Sequence, residues 1–198
     1  MPAVSIELTQ WQDSWTRDFE ELAELIRGAA GPSVVRVDHI GSTSVPGMTA
    51  KDVIDVQVIV RRLPDQQLED GLLAAGFTRS PGAHELRDHV PESWEGDPSA
   101  WDKRVFRPPA DTRPGNVHVR IAGRPNERYA LLFREFLTAD PRTRAAWALF
   151  KQRLAAAVGD LNPYGQIKDP ASDVLMAAAE RWASETGWHP PAETPPGY

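Results

Sequence analysis

The residues best suited to chemistry lie close together: Gly41-Ser42 in a glycine- and serine-rich run, then Asp55 after twelve intervening residues. A tight Gly-Ser turn offers backbone N–H groups and a hydroxyl to a phosphate. An aspartate on a following strand can hold a divalent cation against that phosphate. Two carboxylates at i and i+2 share one strand face and could bracket two metals, but here the i+2 residue is Gln57. An amide ligates a divalent cation more weakly than a carboxylate and is no base. Asp52 falls on the opposite face of a regular strand and contributes only from a loop ahead of it. Asp55 therefore has two open readings, a metal or ligand contact or an acceptor for N–H groups of the preceding loop. Ser42 and Ser44 serve either a phosphate or the turn's own hydrogen bonds, and Lys51 could reach a phosphate from the loop.

Five histidines add to this set. His39 precedes the Gly-Ser loop, and His118 shares a strand face with Arg120. His39, Asp55 and His118 could form a loose metal- or phosphate-binding cluster, or the histidines could satisfy core hydrogen bonds. His84, Asp88 and His89 make a second possible metal patch. Arg104, Arg107, Arg120 and Arg124 are candidate anion contacts, with Arg120 the best placed. Arg128 and Arg134 read as helix surface, and Trp147 and Trp182 as core anchors. Tyr164 and Lys168 stand one turn apart if their segment is helical. Walker A, GxGxxG, GxSxG and HExxH patterns do not occur, and neither does cysteine, so their chemistries have no support.

Regular elements must position these groups. A helix is expected from Asp13 or Ser14, with Trp15, Phe19, Leu22 and Ile26 on one face and a stop at Gly28 or Gly31. Val34 to Val37 is a short β-branched run, and His39 to Gly47 is loop by composition. Val53 to Val60 is the clearest strand. A helix through Leu68 and Leu72 ends at Gly76, with Phe77 on a strand or turn beyond it. Strands are expected at His84–Val90, Trp101–Phe106 and Asn116–Ile121, the first two separated by a loop over Pro91–Ser99. Three helices follow, the second opening at Asp140-Pro141 and the last at Asp169-Pro170. The order implies an α+β fold, a small sheet carrying the polar groups and a helical C-terminal half.

With 198 residues, 41% hydrophobic and 25% charged, the chain suits one globular domain over residues 1–188 and a proline-rich tail over 189–198. The net charge of −6 argues against a general nucleic-acid coat. Its distribution is uneven: residues 1–30 hold two arginines against six acids, whereas residues 120–153 hold eight basic groups against three acids. No apolar run is long enough to cross a membrane and the start lacks signal-peptide character, so a cytoplasmic protein without membrane contact is expected.

The run from Val37 to Lys51, His39-Ile40-Gly41-Ser42-Thr43-Ser44-Val45-Pro46-Gly47 at its centre, continues through Ile54-Asp55-Val56. Together with Asn116–Arg120, Leu131–Leu137, the helix of Lys151, Tyr164 and Lys168, it resembles the GrpB-like family of the nucleotidyltransferase-fold superfamily. The variant Lys51–Gln57, with Trp101–Arg104 and Tyr129–Phe133, looks like the version fused behind dephospho-CoA kinase in actinobacteria. The resemblance implies a nucleotidyltransferase-like small mixed sheet flanked by helices. It also implies metal-assisted transfer to an acceptor with pyrophosphate leaving. Asp55 would hold Mg²⁺ and act with His118 as the catalytic pair, while Gly41, Ser42, Ser44, Lys51 and Arg120 would bind the phosphate ligand. The family pattern of two strand carboxylates and a third on a later strand is matched only at Asp55. Two functions follow: a nucleotidyltransferase, or binder of a nucleoside triphosphate or other phosphorylated small molecule, and a catalytically degenerate accessory module. The second has a protein partner such as dephospho-CoA kinase.

Overall fold

The computed structural model describes residues 6–80, 82, 86–158 and 161–191. His84 and most of the expected tail lie outside them. Five strands form a mixed sheet: β1 (Arg36–Ile40), β2 (Ile54–Val60), β3 (Thr78–Arg79), β4 (Arg104–Arg107) and β5 (Gly115–Ile121), in the order β1-β2-β5-β4-β3. The central pair β2 and β5 runs parallel, and the other pairs are antiparallel.

Alternation divides the sheet by chemistry. Val56, Val58 and Val60 of β2, with Val117 and Val119 of β5, belong to an apolar cluster completed by Trp15, Leu22 and Ile26 of α1 (Ser14–Ala30) and Leu68 and Leu72 of α2 (Gln66–Ala74). The period of two sends Asp55 and Gln57, and Asn116, His118 and Arg120, to the other face. The parallel register aligns them, with Asp55 beside Asn116 and Gln57 beside His118. Asp65 caps α2 by accepting from the Leu68 N–H at 3.1 Å. The two helices meet closely because a Cβ on Gly71 would stand 2.1 Å from the Ala29 carbonyl oxygen.

A second apolar cluster joins α3 (Pro125–Ala139), α4 (Pro141–Ala157) and α5 (Leu161–Thr186). Val45 and Met48 from the Gly-Ser loop insert into it, so this loop is clamped between sheet and helices. Asp140 accepts from the N–H groups of Arg142 and Thr143 ahead of Pro141, as the Asp-Pro signal predicts.

Four local expectations are corrected. His39 and Ile40 belong to β1 and not to the loop, because Ile40 continues the pairing with β2 as far as Asp55. Residues 86–90 make a single bridge, Arg87 with Asp102, where a strand was expected. Pro98–Trp101 is a 3-10 turn, and β4 begins only at Arg104. Asp169-Pro170 does not start a helix; Pro170 lies inside α5. Proline forgoes one backbone bond there. Buried Tyr164 before it and Leu175, Met176 and Ala179 after it anchor both halves.

Candidate functional site

The polar face of the sheet and the helical half enclose a cleft of about 730 Å³. Gly41, Ser42, Lys51, Asp55, His118 and Arg120 all line it. Ser44 does not: its hydroxyl donates to the Gly41 carbonyl at 2.6 Å and closes the turn. Gly41 adopts φ 72°, and a Cβ there would stand 2.6 Å from Asp55 Oδ2. Glycine is required by both the backbone and the approach of the carboxylate.

Asp55 is partly exposed to the cleft, accepts from Asn116 Nδ2 at 2.6 Å, and has His118 Nε2 at 3.7 Å. Burial favours its neutral form, but His118, Asn116 and the charge of Lys51 outweigh this and hold its pKa below the usual carboxylate value. For His118, burial dominates, and Lys103 and Arg120 add to it against the pull of Asp55, so its pKa is lowered. The imidazole is therefore kept toward its neutral form beside an ionised carboxylate.

Gln57 is fully buried and both ends of its amide are engaged. Its Nε2 donates to Asp38 Oδ2 at 3.0 Å, and its Oε1 accepts from Arg120 Nη1 at 2.6 Å. Arg120 also donates from Nε and Nη2 to the two oxygens of Asp88, at 2.9 and 3.0 Å. Asp88 further accepts from Lys103 Nζ at 2.8 Å and Asn126 Nδ2 at 3.1 Å. Burial would raise the Asp88 pKa, but the charges of Arg120 and Lys103 drive it far below the carboxylate range. A continuous strut thus runs from Asp38 through Gln57 and Arg120 to Asp88.

His39 does not join Asp55 and His118. Its register partner Val56 lies on the apolar face, so the ring is directed to α1, where it stacks on Phe19 at 4.8 Å and its Nε2 meets Thr43 Oγ1 at 3.0 Å. Asp88 and His89 do not pair with each other: Asp88 is surrounded by cations and His89 meets Asp173 at 2.9 Å. Among the described residues no group of three or more His, Asp or Glu side chains is arranged to hold a metal ion. Arg134, expected on the helix surface, donates to the His39 carbonyl at 2.9 Å and ties α3 to β1. Asp52 accepts from Trp15 Nε1 at 2.6 Å and pairs with Arg113, which gives it a structural task.

Sequence reasoning passed over Asp38, Lys103 and Lys151 as site residues. The signal for Lys151 was present: it follows Trp147 by four residues and precedes Leu154 by three, so a cation sits in the apolar stripe of α4. Its Nζ donates to Ser42 Oγ at 2.8 Å and to the Thr49 carbonyl at 2.5 Å. Burial, then the charges of Lys168 and Lys51, push its pKa down to about 7, with Asp55 pulling the other way.

A small mixed sheet with one face packed on two helices, and a polar face roofed by a helical half, defines an α+β module. The chain belongs to the GrpB family, whose description as GrpB protein matches residues 5–178. A dephospho-CoA kinase of Mycolicibacterium paratuberculosis is 36% identical over 93% of this chain and 48% of its own length. The chain therefore spans about half the length of that kinase. A UPF0157 protein of Streptomyces coelicolor is 34% identical over 90% of this chain and 85% of its own. In three dimensions, the conserved protein GrpB from Enterococcus faecalis superposes with a TM-score of 0.67 at 25% identity, covering 92% of this chain and 100% of that one. Among the described residues no helix is long and apolar enough to cross a membrane.

Proposed function

We propose that this chain is a catalytically degenerate nucleotidyltransferase-fold module that acts as an accessory, folding or regulatory, to a dephospho-CoA kinase. The observation that carries this reading is the state of Gln57. Where a second metal-binding carboxylate would stand on β2, a neutral amide is sealed from the cleft and held at both ends by Asp38 and Arg120. Of the two carboxylates that line the cleft, Asp55 stands with Asn116 and His118, and Asp88 is held by Arg120 and Lys103, so they do not make a pair that would bracket a divalent cation. They do not fit the Mg²⁺ that the superfamily resemblance implies.

The kinases that match this chain supply the partner class. Each of the mycobacterial relatives is matched over 46–48% of its length, so a segment similar to this chain exists there within a longer protein. A module that assists a kinase from the same chain can also do so as a separate chain, through a surface that does not require Asp55.

The test combines the purified chain with the remaining half of the Mycolicibacterium paratuberculosis kinase, expressed alone and together with the chain. The expected result is a direct complex, with a higher yield of soluble kinase or an altered kinase rate, the same for wild type and Asp55→Asn. Release of pyrophosphate from a nucleoside triphosphate, dependent on Mg²⁺ and lost in Asp55→Asn, would overturn the reading.

A further inference from the structure

The cleft carries more positive charge than its surroundings explain. Six basic side chains line it, Lys51, Lys103, Arg107, Arg120, Lys151 and Lys168, against two carboxylates, Asp55 and Asp88, in a chain whose net charge is −6. Asp88 is already matched by Lys103 and Arg120. Lys168 reaches the neighbouring Asp169 at 3.1 Å, at the solvent side of α5, where a third of its side chain is exposed.

Lys151 is the unusual member. It is 3% exposed, and the two oxygens that hold its Nζ, Ser42 Oγ and Thr49 O, carry no charge. Burying an ammonium against neutral acceptors costs free energy that a paired carboxylate would offset. Two further ammoniums, Lys168 from α5 and Lys51 from the loop before β2, line the same space and add to burial in disfavouring its charged form. Three lysines from three separate segments thus face one volume and repel one another. An anion placed between them would convert that repulsion into attraction. Four aromatic side chains, Trp101, Tyr129, Phe133 and Trp147, line the same cleft. A volume of about 730 Å³ is ample for a small molecule with one charged and one apolar end.

We infer that the cleft binds a phosphorylated small molecule directly on Lys51, Lys151 and Lys168, without a divalent cation, its organic part lying against the aromatic side chains. The fixed ammoniums do the charge neutralisation for which a metal would otherwise be needed. Because Ser42 and Lys51 belong to the sheet half while Lys151 and Lys168 belong to helices, the bound phosphate bridges the two halves. This site goes beyond the accessory role and is tested without any kinase, so the two can fail separately.

The probe is sodium pyrophosphate, added to the full chain in EDTA at constant ionic strength, read by thermal denaturation and isothermal calorimetry. Saturable binding with a rising Tm is expected, and added Mg²⁺ leaves it unchanged or weakens it by sequestering the probe. Lys168→Gln and Lys51→Gln, both at positions open to solvent, should weaken binding by about tenfold each without lowering the Tm of the free protein. No shift up to about 10 mM pyrophosphate, a shift that requires Mg²⁺, or an equal shift in the double variant would each overturn the inference. An equal response to citrate would assign the site to polycarboxylates and overturn the phosphate assignment.

Discussion

Arg120 Nη1 donates to Gln57 Oε1 at 2.6 Å, and this bond sets the chemistry of the cleft. It joins the buried Gln57 amide to a guanidinium already forked onto Asp88. Planar, multidentate pairing of this kind is the strong form of a charge-assisted hydrogen bond. Gln57 is consequently a component of the protein's interior frame. Arg120, an expected anion contact, spends its donors on the same frame.

Gln57→Glu tests that frame. The new carboxylate would stand where Gln57 Nε2 now donates to Asp38 at 3.0 Å, so two buried carboxylates would face one another. A loss of about 2 kcal/mol of stability is expected by urea denaturation. No gain of divalent-cation binding should accompany it in titrations with Mn²⁺. A Gln57→Glu variant of unchanged stability that binds Mn²⁺ through Asp55 would show the position to be a latent metal site.

Lys151 makes stability depend on pH in the alkaline range. The unfolded chain keeps this proton up to the ordinary lysine value of 10.5, whereas the folded chain releases it near 7. Between those values the unfolded state binds more protons, so stability rises with pH. From pH 7 to pH 9, wild type should gain stability relative to Lys151→Met by about 1 kcal/mol per pH unit, read from chemical denaturation midpoints. Parallel profiles for the two proteins would contradict the assignment.

His39 behaves similarly at acid pH. Burial, with Arg134 adding to it against Asp55, holds its pKa at about 4, below the usual 6.5. In this window the unfolded chain again carries the extra proton, and stability falls as pH falls from 6.5 toward 4. In a histidine NMR titration, the His39 ring resonances should stay in the neutral form through pH 5. A midpoint near 6.5 would place the ring in solvent and not against Phe19.

Gly41→Ala should cost about 1–2 kcal/mol or more, because it adds both strain at φ 72° and a Cβ 2.6 Å from Asp55 Oδ2. The readout that separates this from simple unfolding is the ring signal of His118, which should shift as Asp55 is pushed from its place. An alanine variant with wild-type stability and an unmoved His118 signal would show that the loop adapts freely.

The amino-acid sequence by itself determined much of the frame. The 3.6-residue recurrence of Trp15, Leu22 and Ile26, the alternation within Ile54–Val60, and the Asp140-Pro141 start are local signals, and local sterics and burial are enough to realise them. The run around Gly41-Ser42 and Asp55 likewise marked the place of the cleft. What the tertiary structure alone decided depends on partners distant in sequence. Whether His39 faces the cleft or α1 follows from its register against Val56, and whether Pro170 ends a helix follows from the packing on either side of it. The fate of Gln57 depends on Asp38, 19 residues before it, and Arg120, 63 residues after it. Lys151 meets Ser42 across 109 residues. A charge or an amide acquires its chemical meaning from what surrounds it after burial, and those neighbours are chosen by the fold.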